Sequence, residues 1–413
     1  MIEILIVDDD KIILKLLSKL ISQKLSLKVD TAISLKELKE KLNYKTYTLA
    51  ICDYCLPDAK KGESVNLLLN RKIPTIVFTD NYDEKLREEI LNKGVIDYLV
   101  KGTPKITNLI IDVIKRSLKN MKTKVLIIED SLTDRLIMKR ILENMLFKVF
   151  EAPSISQAKE ILNSHPDIKL IILDYYLPEE NTLEFIYELR EKYKKSELGI
   201  IIVSGVIKPK MIPILLKAGA NDFLQKPFSK EEFMVRVTNA IEMLDLIEEL
   251  EFYAYKDPLT ELYNRRYFFE EAPKLWNLAK RRKLNIACII IDIDDFKKIN
   301  DTYGHDVGDI VLKDFAKKLQ KFFQREEDLL ARIGGEEFVI LVTYSSFSKL
   351  LEHLENFRKY IEEHPIKLEN IEIPYTISIG VETGAKNSLK DMLIDADKKL
   401  YKAKLKGKNC IVY

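Results

Sequence analysis

Apolar residues along the first 240 positions follow two alternating patterns. Short unbroken runs, such as Ile4 to Val7 and Val125 to Ile128, read as strands buried on both faces. Between them, Leu14, Leu17, Leu20 and Ile21, and later Leu136, Ile141 and Leu142, recur at helical spacing. The alternation predicts βα units wound around a parallel sheet. It also repeats. Ile4–Asp9 (ILIVDD) recurs as Val125–Asp130 (VLIIED), and Leu49–Pro57 (LAICDYCLP) as Leu170–Pro178 (LIILDYYLP), both 121 residues on. Ile76–Thr79 and Asp97–Lys101 recur 125 residues on, as Ile201–Ser204 and Asp222–Lys226. The first copy is therefore four residues shorter between its central Asp and its hydroxyl.

In a parallel sheet, function collects beyond the carboxyl ends of the strands. Polar residues fall there in both copies: an acidic pair after the first strand (Asp8 and Asp9; Glu129 and Asp130) and an aspartate after the third (Asp53; Asp174). A hydroxyl follows the fourth strand (Thr79; Ser204) and a lysine the fifth (Lys101; Lys226). Three converging carboxylates repel one another unless a cation lies between them, which implies a Mg²⁺ site. The lysine and the hydroxyl suit an anionic group placed on the central aspartate. A single doubly wound ligand-binding domain with scattered acids is the alternative, and it does not account for the repeat.

Both copies resemble response-regulator receiver domains, whose fold is flavodoxin-like with a parallel five-stranded sheet. The resemblance makes Asp53 and Asp174 phosphoacceptors, and Asp8, Asp9, Glu129 and Asp130 holders of the metal. Thr79 with Lys101, and Ser204 with Lys226, grip the phosphoryl group, while Tyr98 and Phe223 occupy the aromatic switch position. A histidine kinase or phosphotransfer protein is the implied partner. Receivers usually follow this lysine with Pro; Lys226-Pro227 conforms and Lys101-Gly102 does not, so the second pocket is the better preserved. Which copy is the regulatory site stays open.

The stretch Ala240 to Ala254 has no Gly or Pro, and Ala240, Met243, Ile247, Leu250 and Ala254 are spaced like a coiled-coil seam. Simple continuation of the preceding helix fits the same residues. Farther on, Ala287–Asp295 (ACIIIDIDD) reads as a buried strand whose end carries Asp292. Gly334–Phe338 (GGEEF) reads as a turn in which glycines admit a ligand closely and Glu336 and Glu337 offer hard oxygen ligands. Alone, those five residues fit an ordinary hairpin with solvated glutamates equally well. Asp292, at a strand end, is well placed as the second carboxylate and raises the metal-site reading. Tyr401–Asn409 (YKAKLKGKN) is a basic stretch suited to phosphates, or a solvated helix end.

Asp257 to Tyr413 resembles the GGDEF family of diguanylate cyclases through DPLTELYNRR (Asp257–Arg266), DIDDFKKIND (Asp292–Asp301), GHDVGD (Gly304–Asp309) and GGEEF. The implied fold is a polymerase-palm-like α/β domain. The implied reaction is 2 GTP → cyclic di-GMP + 2 pyrophosphate, run by a homodimer in which each subunit presents one GTP. Asp292, Glu336 and the Ile293 carbonyl become ligands of Mg²⁺ or Mn²⁺, and Glu337 sits beside the attacking 3′-hydroxyl. Asn300 and Asp309 read the guanine edge, and Lys297, Lys404 and Lys408 meet the phosphates. Arg325 and Asp328 match the family's RxxD product-inhibition site by their spacing to Gly334; in isolation they read as a weak surface ion pair. Asn356 falls where relatives often carry a second Arg, which implies weaker inhibition.

Composition sets the surroundings. A chain of 413 residues has room for about three domains, expected at 1–119 and 122–240 for the receivers and 257–413 for the cyclase, with a helical linker over 241–256. A net charge of +2 advertises neither nucleic acid nor an anionic membrane surface. Four cysteines without zinc spacing suit a reducing cytosol, and Cys52 and Cys55 read as small buried cysteines rather than a redox pair. The amino terminus lacks a basic segment and a long apolar run, so a soluble cytoplasmic protein without membrane insertion is expected. A non-catalytic cyclic di-GMP receptor that signals by assembly is the alternative function, and the intact carboxylates at 292, 336 and 337 weigh against it.

Overall fold

The first two sheets have the same winding. The computed structural model describes residues 2–413 apart from 81–82, 179, 206–207, 209, 326, 369–370 and 385–387. In the first copy, strands β1 (Glu3–Val7), β2 (Lys28–Ala32), β3 (Leu49–Cys52), β4 (Thr75–Thr79) and β5 (Asp97–Val100) alternate with α1 (Lys11–Leu25), α2 (Leu35–Tyr44), α3 (Glu63–Asn70), α4 (Glu84–Asn92) and α5 (Ile106–Asn120). All strands pair in parallel, in the order β2-β1-β3-β4-β5, which is the flavodoxin-like order. The second copy repeats it with β6 (Lys124–Ile128), β7 (Lys148–Ala152), β8 (Ile168–Asp174), β9 (Gly199–Ser204) and β10 (Asp222–Gln225). Its helices are α6 (Leu132–Asn144), α7 (Ile155–Ser164), α8 (Thr182–Lys192), α9 (Met211–Ala218) and α10 (Lys230–Tyr255). Helix α3, with 8 residues where α8 has 11, accounts for part of the shortening of the first copy, and the connections on either side of it account for the rest.

The unbroken apolar runs follow from burial on both faces. Ile4, Ile6 and Ile51 pack under α1 and α5, while Leu5, Val7 and Ala50 face the opposite helical layer. Each such side chain contributes about 1.5–3 kcal/mol by leaving water. Both copies belong to one compact unit, Met1–Leu246. Within it, Arg87 and Lys119 pair with Glu231 and Asp245 of α10, and Lys230 donates to the Leu91 carbonyl.

Helix α10 runs unbroken to Tyr255, so the linker stretch is the extension of the second copy's last helix. Met243, Leu246, Leu250 and Tyr253 are its exposed apolar residues there, whereas Ala240, Ile247 and Ala254 of the expected seam are half-buried. Of the five seam positions, Met243 and Leu250 are thus exposed and three are half-buried.

The second unit, Ile247–Tyr413, is built differently. Its six-stranded sheet runs β11-β13-β14-β12-β17-β18, from β11 (Tyr263–Asn264), β12 (Asn285–Ile293), β13 (Leu329–Gly334), β14 (Glu337–Tyr344), β17 (Ile377–Thr383) and β18 (Ile411–Val412). β15 (Ile366–Leu368) and β16 (Ile371–Ile373) form a separate pair. Central β12 is antiparallel to both β14 and β17. Helices α11 (Arg265–Arg282), α12 (Phe296–Tyr303), α13 (His305–Phe322), α14 (Phe347–Glu363) and α15 (Leu389–Leu405) pack on it. Gly380 of β17 lets α15 approach very closely: a Cβ there would lie 2.2 Å from the Ala396 carbonyl oxygen and 2.3 Å from the Leu400 nitrogen. Among the described residues, no helix is long and apolar enough to cross a membrane.

Candidate functional site

Three carboxylate pockets emerge. In the first receiver-like copy, Asp53 follows β3 and is buried, as are Asp8 and Thr79, while Asp9 is exposed. One ligand oxygen from each of Asp8, Asp9 and Asp53 lies within 4.8 Å of the others. Lys101, at the end of β5, donates to Asp53 at 2.5 Å and pairs with Asp8 at 2.9 Å. Burial pushes the Asp8 carboxyl up, against the pull of Lys101. For Lys101, burial opposes the charge, and the hydrogen bonds to Asp53 and Asp8 outweigh it and raise the ammonium above its ordinary range. Tyr98 is buried within β5.

The second copy places Glu129, Asp130 and Asp174 in the same arrangement, with Ser204 buried at the end of β9 and Phe223 half-buried. Lys226 meets Asp174 at 2.7 Å, Glu129 at 2.6 Å and, in addition, Asp134 at 2.9 Å. Burial pushes the Glu129 carboxyl up to about 7, with Lys226 pulling it down and Asp174 adding to the rise. Asp134 was not foreseen: it sits in the first turn of α6, where the repeat offers Ile13 in the other copy. Three clustered acids, with the proton affinity of Asp8 raised in one pocket and that of Glu129 in the other, fit a small oxygen-seeking dication.

The third pocket lies on the antiparallel sheet. Asp292, at the end of β12, is buried and sits directly across from Glu337 on β14. Glu336 occupies the turn between β13 and β14, and its carbonyl accepts from the Ile293 N–H at 3.3 Å. Gly335, in the same turn, has φ +48 and open space where a Cβ would stand. Arg332 braces this turn, donating twice to the Gly335 carbonyl and to both carboxylate oxygens of Asp257, which also accepts from Thr260. Burial pushes Asp292 up to about 6; Lys404 opposes this, and Glu336 and Glu337 reinforce it. Asp292, Glu336 and Glu337 are near enough to interact electrostatically, yet among the described residues their ligand oxygens do not gather within 4.8 Å of one another as those of the two receiver pockets do; as hard oxygen donors they suit a Mg²⁺ or Mn²⁺ ion.

The lysines assigned to phosphates lie at the carboxylate end of the sheet. Lys404, on the last turn of α15, contacts Asp292 itself at 2.7 Å, and Lys408 pairs with Asp295 at 2.6 Å. Lys297 is exposed in the first turn of α12. Asn300, also on α12, has a buried Oδ1 without a hydrogen-bond partner. Gly308 makes room for it: a Cβ at 308 would lie 1.8 Å from that oxygen. Asp309 is exposed next to Gly308 on α13.

Arg325 and Asp328 line a cavity of about 490 Å³ together with Tyr344, Lys349 and His353. Arg325 donates to the Thr343 carbonyl at 3.4 Å, and Oδ1 of Asp328 is buried without a hydrogen-bond partner. Burial raises the Asp328 carboxyl, with Arg325 pulling the other way. Asn356 is exposed on α14. Cys52 is fully buried with its thiol pushed up to about 12 by burial, whereas Cys55 is exposed, contrary to the expectation that both are buried.

Comparison with known proteins agrees with this layout. The family described as "Response regulator receiver domain" matches residues 4–112 and 125–238, and "Diguanylate cyclase, GGDEF domain" matches 254–410. Response regulator PleD of Caulobacter vibrioides is 32% identical over 261 residues, covering 59% of this chain and 56% of that protein. Diguanylate cyclase A of Treponema denticola is 40% identical over 158 residues, 37% of this chain and 42% of that protein. The chain thus spans about half the length of these curated relatives. A crystal structure of a two-component response regulator/GGDEF domain protein is 35% identical with a TM-score of 0.54, covering 59% of this chain and 100% of the other.

Proposed function

Because this chain belongs to the response-regulator family and carries a GGDEF domain behind two receiver domains, we propose that it is a diguanylate cyclase whose output is set by phosphorylation. In this reading 1–119 and 122–240 are the receivers, 241–256 is a helical linker and 257–413 is the cyclase. It acts in the cytoplasm as a homodimer, one GTP per subunit. The observation that carries the reading is the buried Asp292 facing Glu337 across the sheet, with Glu336 beside them and the unpartnered Asn300 oxygen nearby in sequence.

Asn300 and Asp309 accept from the N–H groups of guanine, a contact an adenine edge does not return. The 3′-oxygen of one GTP bonds to the α-phosphorus of the other, the link to the β-phosphate breaks, and pyrophosphate leaves. The same step in the opposite direction closes the ring. Glu337 takes the hydroxyl proton, and Lys404 exchanges Asp292 for the phosphates, where Lys297 and Lys408 join it. Asp292, Glu336 and the Ile293 carbonyl would hold a divalent ion, which would supply positive charge and acidify the hydroxyl.

Upstream, a histidine kinase or phosphotransfer protein delivers phosphate to Asp53 or Asp174, where the neighbouring lysine and hydroxyl hold it. Product returning to the Arg325 and Asp328 cavity limits the output: the guanidinium fork suits phosphate or guanine, and Asp328 accepts guanine N–H groups. Purified protein given GTP and Mg²⁺ should release cyclic di-GMP and pyrophosphate, more so after treatment with acetyl phosphate. Asp53→Asn and Asp174→Asn variants identify the receiver that matters. Failure to form product after phosphorylation and removal of bound nucleotide would leave the receptor reading in place.

A further inference from the structure

The turn that carries Lys408 is held by a buried carboxylate outside the metal set. Asp294, two residues beyond Asp292, is 5% exposed. Its Oδ1 accepts from the Ser378 hydroxyl at 2.6 Å, and its Oδ2 accepts from the Thr376 hydroxyl at 2.8 Å and from the Asn409 backbone N–H at 3.0 Å. One carboxylate therefore ties together the end of β12, the start of β17 and the turn after α15. The turn needs such restraint. Gly407, Lys408 and Asn409 have φ of +110, +66 and +46, and the last two adopt a backbone conformation that residues with a side chain disfavour.

Asn409 is gripped from its other side too. Its Oδ1 accepts from the Arg358 guanidinium at 2.7 Å, and its Nδ2 donates to Glu362 at 2.9 Å. Arg358 is itself buried and fixed by Glu355 and Glu362 on α14. The lysines on either side of this clamp reach the site: Lys404 to Asp292 and Lys408 to Asp295. We propose that Asp294 and Asn409 are positioning residues, which fix the Gly407–Asn409 turn so that Lys404 and Lys408 bear on the β- and γ-phosphates of the substrate. The inference rests on the cyclase reading above and adds residues that do not touch the reacting atoms.

The test is calorimetric binding of 3′-deoxy-GTP, which cannot react, and of GMP, which lacks the outer phosphates, to the full chain with Mg²⁺. Asp294→Ala should weaken 3′-deoxy-GTP about tenfold while GMP changes less than about twofold, since what is lost is cation placement over phosphates. In turnover, KM should rise more than kcat falls. Asp294→Asn should recover most of the loss, because its amide oxygen still accepts from Thr376 and Asn409 and its amide nitrogen can donate to the Ser378 oxygen. Asn409→Gly keeps the left-handed backbone and removes the grip of Arg358 and Glu362. It should act in the same direction, about threefold, and it decides the matter if Asp294→Ala does not fold. Lys408→Ala added to Asp294→Ala should cost less than Lys408→Ala alone. Equal weakening of both ligands, no weakening of either, or an undiminished Lys408→Ala effect overturns the clamp. A wild-type chain that binds neither nucleotide overturns the cyclase reading itself.

Discussion

The receiver pockets and the cyclase pocket answer the same electrostatic problem in different ways. Each gathers acidic groups, and in each a lysine ammonium lies against the central carboxylate. In the receivers that lysine comes from a strand end within the sheet, its side chain 8% or 17% exposed, and it serves three carboxylates at once, the third in the first copy being the exposed Asp80 at 3.7 Å. In the cyclase domain it comes from the last turn of a helix, its side chain is 35% exposed, and among the described residues it pairs with one carboxylate, Asp292. A buried lysine with several acidic partners is part of the architecture, since removing it strands their charges. A half-exposed lysine with one partner can exchange that partner for a phosphate. In the proposed reading, the difference separates sites that hold a group attached to the protein from a site through which substrates pass.

The sharpest way to break this comparison is to neutralise the central acid of the cyclase. Asp292→Asn should lower cyclic di-GMP synthesis about a hundredfold or more, while labelling of the receivers by acetyl phosphate is unchanged. Its thermal midpoint should hold or rise, because a buried charge is removed from beside Glu336 and Glu337; a large fall in stability would show that Asp292 is structural. Next come the receiver lysines. Lys226→Ala and Lys101→Ala should each destabilise the folded chain by about 3 kcal/mol, with the larger loss at 226, where three carboxylates are left unpaired within 2.9 Å rather than two. Equal losses measured by denaturant unfolding would remove the role given to Asp134.

A third contrast concerns the cavity beside Arg325. Arg325→Ala should leave initial velocity intact and raise the product concentration needed for half-inhibition about tenfold, read from progress curves with added cyclic di-GMP. The smallest effect belongs to Asp30 in the first receiver. Burial pushes its carboxyl up, yet hydrogen bonds from Lys41 and Tyr47 prevail and hold it at about 2, below its ordinary range. Such a group adds stability in full above pH ~4 and loses it as pH falls toward 2. Asp30→Asn should therefore lower the thermal midpoint by a degree or two at neutral pH, and the gap should close in acid.

Much of this was legible in the chain itself. The apolar runs and the 121-residue repeat are local patterns, and they carry the parallel sheets and the acidic pockets around Asp53 and Asp174, because residues at strand ends converge once the winding is known. Asp292 and Glu336 could be joined for the same reason. Asp294, Arg332, Arg358 and Asn409 could not be read that way. Their meaning lies in partners far along the chain, as with Asn409 to Asp294 and Arg332 to Asp257, and no spacing rule encodes those pairings. Asp134 escaped because the repeat offers an isoleucine in its place. Lys404, assigned to a phosphate, lies against Asp292, a contact between α15 and the end of β12 that no spacing rule encodes.

Gly380 shows how far from a site its dimensions can be set. With a methyl group there, α15 would have to stand away from β17, and the helix carries Lys404 at its far end. A lysine has a fixed length of stem, so a displaced helix axis subtracts directly from the distance its ammonium can cover. The span between α15 and Asp292 is thus gauged by one hydrogen atom in the middle of a strand, and a substitution that alters no charge, no ligand and no hydrogen bond could leave the cation short of its target.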